Sequence, residues 1–249
     1  MEKQQTKIKI IGITGASGNI GSTLQEGLSK NYELELYDIN KPIQSSDSKF
    51  IKVDFSQKKE IDGIFNGLDA LIHLAGNPHP NAPRHQTFQN NFLATSLVFE
   101  EAFRSGVKKI VYASSNFYHE AAIGEKLMQP RSRLITIDMP PSPISLYGES
   151  KVYGENLGRH LSYRGMQFVA LRIGWTVPQD NPKIYGGEYM RAVFCSKKDL
   201  VQAFTKGLEV NTDFLAAFAV SDNSRAVFDL TDTKRNLGFL PEDNAENYF

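Results

Sequence analysis

In the run Tyr147-Gly148-Glu149-Ser150-Lys151, a phenol and an ammonium stand four residues apart, a spacing that puts both on one face of a helix. A cation beside a phenol favours the phenolate and lowers a tyrosine pKa, ordinarily near 10, toward the range a general base needs. Tyr-x-x-x-Lys is a common pairing whose usual meaning is a surface tyrosine beside a solvated lysine; its place in the chain sets this one apart. Ahead of it a strand-like run, Lys108 to Ser115, ends in hydroxyls, and a hydroxyl there could hold a substrate oxygen beside the phenol. Further ahead, Thr14-Gly15-Ala16-Ser17-Gly18-Asn19-Ile20-Gly21 carries three glycines three residues apart. That pattern allows a tight turn, then close approach of the backbone to a pyrophosphate, then close packing of a helix whose N-terminus faces the phosphates. Asp38 closes the next strand-like run, Glu33 to Tyr37, at about the distance where a ribose-binding carboxylate belongs. A dinucleotide loop and a proton-moving pair are the chemistry on offer.

The elements that must position these groups alternate regularly. Short apolar runs at 8–13, 33–38, 50–53, 69–76, 108–115, 168–173 and 214–220 predict strands. Between them, helical spacing predicts helices from Ile20 to Lys30, Arg84 to Ser105, Ser145 to Tyr163, Ser196 to Leu208 and Thr231 to Leu237. Ser56 is expected to cap a further helix carrying Ile61, Ile64 and Phe65 on one face. Loops are expected over 40–48, at the proline-rich Asn77 to Pro83, over Asn116 to Pro143 with at most a turn of helix near Ala121, and over Val177 to Gly187. The class is α/β, a Rossmann-type doubly wound parallel sheet with a small C-terminal substrate-binding region. One domain over 1–249 is expected, with a dinucleotide-binding core over 7–174 and a mostly substrate-binding region over 175–249.

Composition narrows the partners. Lys plus Arg and Asp plus Glu each number 28, so no net field steers the protein toward nucleic acid or an acidic membrane surface. The single cysteine, Cys195, permits no internal disulfide and fits a reducing compartment. No signal-peptide core precedes the first strand and no apolar run approaches 18 residues, so the expectation is a soluble cytoplasmic protein. His73, His79 and His119 lack the spacing of a metal site, and no metal is expected. His73 in an apolar strand reads as a core histidine, while His79 and His119 are candidate substrate contacts. Trp175 and Tyr185 either line the substrate pocket or pack over the sheet edge.

The ordered set of motifs resembles the extended short-chain dehydrogenase/reductase family, also called the NAD-dependent epimerase/dehydratase family. It consists of TGASGNIG (Thr14 to Gly21), Asp38, Asp54 after a strand, HLAG (His73 to Gly76), Asn91, YASSN (Tyr112 to Asn116), PPSPISLYGESK (Pro140 to Lys151) and LRIG (Leu171 to Gly174). The Ser-Ser-Asn strand end, the short chain and the C-terminal Ser221-Asp222-Asn223-Ser224 resemble most the branch of uronate dehydrogenases and related sugar 1-dehydrogenases. The resemblance implies NAD as cofactor, bound by Gly15, Ser17, Gly18, Asn19, Ile20, Gly21, Asp38, Asp54, Leu74, Ala75, Gly76, Asn91 and Lys151. It implies Tyr147 as catalytic base, Lys151 as the group that lowers its pKa and holds the nicotinamide ribose, and Ser115 as the group that orients the reacting oxygen. Asn77, Ser115, Asn116, Phe117 and Arg191 would face the substrate, with Arg84 as a second arginine able to meet an anionic group. About 75 residues follow Ile173, which suggests a small unactivated sugar and not a nucleotide-sugar. A homodimer packed through the helices at 84–105 and 145–163 is what the family implies. Three functions compete: oxidation of C1 of a free sugar to a lactone, an epimerase or dehydratase that retains its NAD, and a non-catalytic dinucleotide sensor, which would have no need of Ser115, Tyr147 and Lys151 together.

Overall fold

β-branched and leucine-rich runs, apolar on both faces, build a parallel sheet covered on both sides. The computed structural model describes residues 8–43 and 48–249; most of the serine-rich cluster expected in the loop before the third strand, and the first residue of the expected core, lie outside them. The strands are β1 (Ile10–Thr14), β2 (Glu33–Asp38), β3 (Lys49–Lys52), β4 (Ala70–His73), β5 (Lys109–Ser115), β6 (Gln167–Ile173) and β7 (Phe214–Ala219). All pair in parallel in the order β3-β2-β1-β4-β5-β6-β7. The chain winds outward from β1 to β3, then returns to the other side of β1 as β4. The crevice at the C-terminal ends of β1 and β4 is therefore the switch point where such sheets bind ligands.

Helix α1 (Asn19–Leu28) and α7 (Lys197–Glu209) cover one face, packing Leu24, Leu28, Leu200 and Phe204 onto Ile11, Ile13, Val111 and Val169. The other face is covered by α3 (Ala94–Arg104) and α5 (Leu146–Ser162), where Val98, Phe99 and Leu161 meet Leu71, Tyr112 and Phe168. The expected helix at 84–105 is present, but not as one uniform α-helix: α2 (Arg84–Thr87) runs into a π-helical stretch, Phe88–Leu93, before α3. Wide turns of this kind are rare and cluster at functional sites, and this one presents Asn91.

Two expectations are corrected. No α-helix follows Ser56; the chain makes a 3-10 turn, Lys58–Glu60, and irregular turns. Gly63 and Gly67 take positive φ there, and the Ser56 hydroxyl is bound to Asp54 and Gln89 instead of capping a helix. The supposed loop at 116–143 contains a 3-10 turn, Asn116–His119, and a nine-residue helix α4 (Glu120–Met128). The expected loop at 177–187 is present, with a 3-10 turn at Pro182–Ile184, and leads into an unexpected helix, α6 (Gly187–Val193); α8 (Thr231–Leu237) follows β7 as expected. Among the described residues no helix is long and apolar enough to cross a membrane.

Candidate active site

Strand β1 delivers the glycine loop to the switch point. Gly15 has φ +70°, and a Cβ there would stand 2.7 Å from the Ala75 amide nitrogen, so only glycine lets the loop lie against the end of β4. A Cβ on Gly21 would stand 2.5 Å from the carbonyl oxygens of Gly15 and Ala16, which makes it the point where α1 presses on its own loop. Gln25 fastens that contact, donating to the Ala16 carbonyl at 2.6 Å. Thr14 Oγ1 accepts from the Leu74 and Ala75 amides at 3.2 and 3.3 Å and lies 2.8 Å from His73 Nδ1, joining the ends of β1 and β4. His73 is the core histidine expected: wholly buried and pushed down to about 3 by that burial, with the Lys151 charge adding to the effect.

The residues present fit a dinucleotide. α5 and α7 start on serines whose hydroxyls accept a first-turn amide, whereas α1 starts on Gly18 with no capping side chain and no acidic residue in its first turn. Its leading amides and the positive end of its dipole are thus left for an anion. Asp38, at the end of β2, accepts from the Ser17 amide at 2.9 Å, so its carboxylate stands beside the same loop. Asp54 accepts from the Ser56 amide at 2.9 Å and hydroxyl at 2.8 Å, closing the turn after β3. Ile20 packs onto the α1/α7 core. Gly76 carries φ +156°, and a Cβ there would meet the Asn91 side chain at 3.6 Å. Asn91 bridges the loop after β4 to α5. It accepts from the Asn77 amide at 2.8 Å and donates to the Asn77 carbonyl at 3.0 Å and to Ser150 Oγ at 3.3 Å.

Ser115, Tyr147 and Lys151 meet at the C-terminal end of β5. Lys151 Nζ donates to the Ala113 carbonyl at 2.9 Å and lies 5.3 Å from the centre of the Tyr147 ring. Burial pushes the Tyr147 phenol above its ordinary value, and a hydrogen bond with Ser115 works in the opposite direction. The expected lowering by Lys151 is therefore not what this arrangement shows; burial dominates, and it also pushes the Lys151 ammonium down to about 8. Phe117 stacks edge-on against Tyr147 at 5.5 Å. Glu120, the first residue of α4, accepts from the Ser145 amide and hydroxyl, each at 2.8 Å, while Ser145 Oγ accepts from the Gly148 amide at 3.1 Å. The helix that carries Tyr147 is thus clamped at its first turn.

The C-terminal region closes over this cluster from two sides. Asn19 at the start of α1 donates to Thr176 Oγ1 at 3.0 Å, bringing the segment after β6 over the glycine loop. Ser115 Oγ donates to Asn116 Oδ1 at 3.1 Å, and Asn116 Nδ2 donates to the Tyr189 hydroxyl on α6 at 2.7 Å. Arg191 does not share that face. Two residues on along a helix lie about 200° around its axis, and the Arg191 guanidinium pairs with Glu246 at 3.4 Å and stacks over Phe249 at 3.9 Å. Arg84 lies over the Phe88 ring at 5.2 Å. His79 is exposed in the proline-rich loop, whereas His119 is fully buried and lies 2.8 Å from Arg172 Nη1.

Residues 11–177 match the NAD dependent epimerase/dehydratase family. The chain belongs to that family. Among its relatives is L-arabinose 1-dehydrogenase (NAD(P)(+)) of Haloferax volcanii, 30% identical across 94% of this chain and 97% of that protein. Uronate dehydrogenase of Pseudomonas putida is 31% identical, spanning 95% of this chain and 85% of that one. A mutant uronate dehydrogenase from Agrobacterium tumefaciens, solved in complex with NAD, superposes with a TM-score of 0.82 at 25% identity, covering 97% of this chain and 88% of that one.

Family motifs do not account for every residue that shapes this site. The Arg172 guanidinium, from the LRIG strand, forms a bidentate pair with Glu155 at 2.9 and 3.0 Å, both side chains being nearly inaccessible. Glu155 lies one helical turn after Lys151 and also accepts from Ser114 Oγ at 2.6 Å. Arg172 reaches on to His119 and the Ile137 carbonyl and stacks on Tyr118 at 3.4 Å. One ion pair thereby ties together α5, β5, β6 and the 3-10 turn that bears Asn116 and Phe117. The i+4 spacing from Lys151 to Glu155 was a usable signal for the glutamate; nothing local marked Tyr189 or Glu120.

Proposed function

We propose that this protein is an NAD-dependent dehydrogenase that oxidises C1 of a small free sugar, an aldose or a uronic acid, to the lactone. The observation that carries the reading is the convergence of Tyr147, Ser115 and Lys151 beside an uncapped helix and glycine loop at the sheet's switch point. Bound NAD supplies the hydride acceptor. The chain's own groups do the rest. Ser115 holds the anomeric oxygen, and Tyr147 takes the hydroxyl proton as the C1–O bond becomes a carbonyl; it does so as the phenolate, the form that a cationic nicotinamide bound beside Lys151 would favour against the effect of burial. Lys151, fixed by the Ala113 carbonyl, stands under the phenol and holds the nicotinamide ribose. Gly15, Ser17, Gly18, Asn19, Ile20 and Gly21 cradle the pyrophosphate, with Asp38 for the adenine ribose, Asp54 for the adenine, and Leu74, Ala75, Gly76 and Asn91 along the opposite wall. Asn77, Asn116 and Phe117 face the sugar.

Support comes from the two relatives named for oxidation of unactivated sugars, which this chain matches along nearly its full length. The same reading includes a cytoplasmic homodimer. Phe88, Leu93 and Tyr153, which are 42%, 47% and 36% exposed, put an apolar face on the helices over 84–104 and 146–162, and sedimentation would report a monomer if that face has no partner.

NADH absorbance across a panel of free sugars, uronic acids and sugar phosphates tests the activity, and Tyr147→Phe tests the assignment of the base. The variant should fall below about a tenth of wild-type turnover, a barrier increase above roughly 1.4 kcal/mol, while NAD binding is retained. Retention of more than that fraction refutes Tyr147 as the base. Tightly held NAD with no net NADH on any sugar would move the protein to the epimerase branch.

A further inference from the structure

We propose that the site selects a neutral aldose over a uronate or a sugar phosphate, with Trp175 and Tyr185 as the wall against which the sugar ring lies and Tyr189 as the residue that sets the preference. The inference rests on the dehydrogenase reading and specifies its substrate class. Three observations carry it.

The polar chain leading away from Ser115 consists of neutral groups. Ser115 donates to Asn116, and Asn116 donates to the Tyr189 hydroxyl. Burial pushes the Tyr189 phenol up to about 12, so this end of the chain carries no charge across the working pH range. These groups suit sugar hydroxyls, which both donate and accept. An anion placed between Asn116 and Tyr189, the end of the chain away from Lys151, would shed its water for neutral partners.

Trp175 and Tyr185 stand 41% and 54% exposed, although large aromatics gain most from burial. Their rings lie 5.6 Å apart, and Trp175 meets Tyr189 edge-on at 5.8 Å. This cluster follows directly on β6, the neighbour of the strand that ends in Ser115, and the next residue, Thr176, is bonded to Asn19 beside the glycine loop. Thr176 ties one end of this open aromatic surface to the dinucleotide loop and Tyr189 ties the other to Asn116, and its rings present an apolar face of the kind against which a sugar's C–H face lies. Pockets that combine such a face with a few convergent polar groups are ligand sites.

The arginines flanking this wall are committed elsewhere. Arg172 is buried in its bidentate pair with Glu155. Arg191 leaves α6 on the side away from Tyr189 and joins Glu246, which also binds Arg225, itself paired with Glu188. Two arginines and two glutamates there neutralise each other and lock α6 to the 3-10 turn Ala245–Tyr248. Freeing Arg191 for a substrate carboxylate would dismantle that lock. A fork-shaped cation is the group that recognises carboxylate or phosphate well, and Tyr189 occupies the place on α6 from which one could reach Asn116.

The test is initial-rate NADH formation by the full chain with matched pairs: D-glucose against D-glucuronate and glucose 6-phosphate, and D-galactose against D-galacturonate. The best neutral sugar should exceed its anionic counterpart in kcat/KM by at least about tenfold. Trp175→Ala should raise KM for the neutral sugar about tenfold or more without weakening NAD binding measured by calorimetry, and Tyr189→Arg should narrow or invert the neutral-to-anionic ratio. An anionic partner used as well as, or better than, the neutral one overturns the proposal and leaves the sugar dehydrogenase reading standing. An unchanged KM in Trp175→Ala overturns the aromatic wall. NADH formation with neither class overturns the dehydrogenase reading and this proposal with it.

Discussion

Glu155→Gln removes one charge and leaves the shape of the site intact, so it isolates what the buried ion pair does. Arg172 would keep its guanidinium in a position only 4% exposed, now facing an amide, and the Ser114 hydroxyl would lose its carboxylate acceptor. Breaking a buried pair from one side costs about 3–5 kcal/mol, because a charge remains without its counter-ion. Against a typical total of about 5–15 kcal/mol that is a large fraction, and for a chain of this length it lowers Tm by about 6–20 °C. Urea unfolding followed by circular dichroism, with the slope m unchanged, is the assay. The double variant Glu155→Leu with Arg172→Met should lose less than the single one, because desolvating two charges is itself expensive and an apolar pair avoids it. The pair also anchors the turn that carries Asn116 and Phe117, so the folded fraction of Glu155→Gln should show a raised KM for the sugar. A loss below about 1 kcal/mol, or a double variant less stable than the single one, refutes this account of the network.

Two further outcomes follow from the site and the core. Asp38 should make NAD bind at least about tenfold more tightly than NADP, since a carboxylate there accepts from ribose hydroxyls and repels a 2′-phosphate, each charged hydrogen bond contributing about 1.5–3 kcal/mol; Asp38→Ser should close the gap, and equal dissociation constants in the wild type would sink the assignment. Stability should fall in mild acid: His73 and His119 are both held down to about 3 in the folded chain, so below about 6.5 the unfolded chain takes up protons that the native one refuses. Their contribution is complete above pH 6.5 and is lost as pH drops toward 3, at about 1.4 kcal/mol per pH unit for each histidine, and an unfolding free energy that stays flat from pH 6.5 to 5 would contradict their burial as neutral rings.

What could be read from the amino acids divides by the sequence distance of the interactions involved. Ile10 to Thr14 form a strand because β-branched residues suit a sheet buried on both faces, and the turn after them needs Gly15 because of a φ that its own backbone adopts; both are local facts and both were legible. Tyr147 and Lys151 share a helix face for the same reason, so their proximity could be read from spacing, while the role expected of them came from the resemblance. Helix α6 could not. It starts on Gly186 and Gly187, both at positive φ, which read as loop. It is held by partners as distant as Asn116, 73 positions away, and Glu246, 55 positions away. Helix α4 was hidden likewise: Glu120 is fixed by Ser145, and the buried Lys126 ammonium donates to the Pro130 and Ser132 carbonyls. The direction of the Tyr147 shift was missed because burial, which is a tertiary quantity, outweighs the neighbouring cation. Arg191 is on the same helix as Tyr189, but a displacement of two residues turns it about 200° away, to Glu246 and Phe249, while the tyrosine two residues earlier accepts from Asn116. Proximity within one helix or one loop is written in spacing, whereas the contact between Asn116 and Tyr189 forms where α6, β5 and β6 meet, and only the folded chain brings those three together.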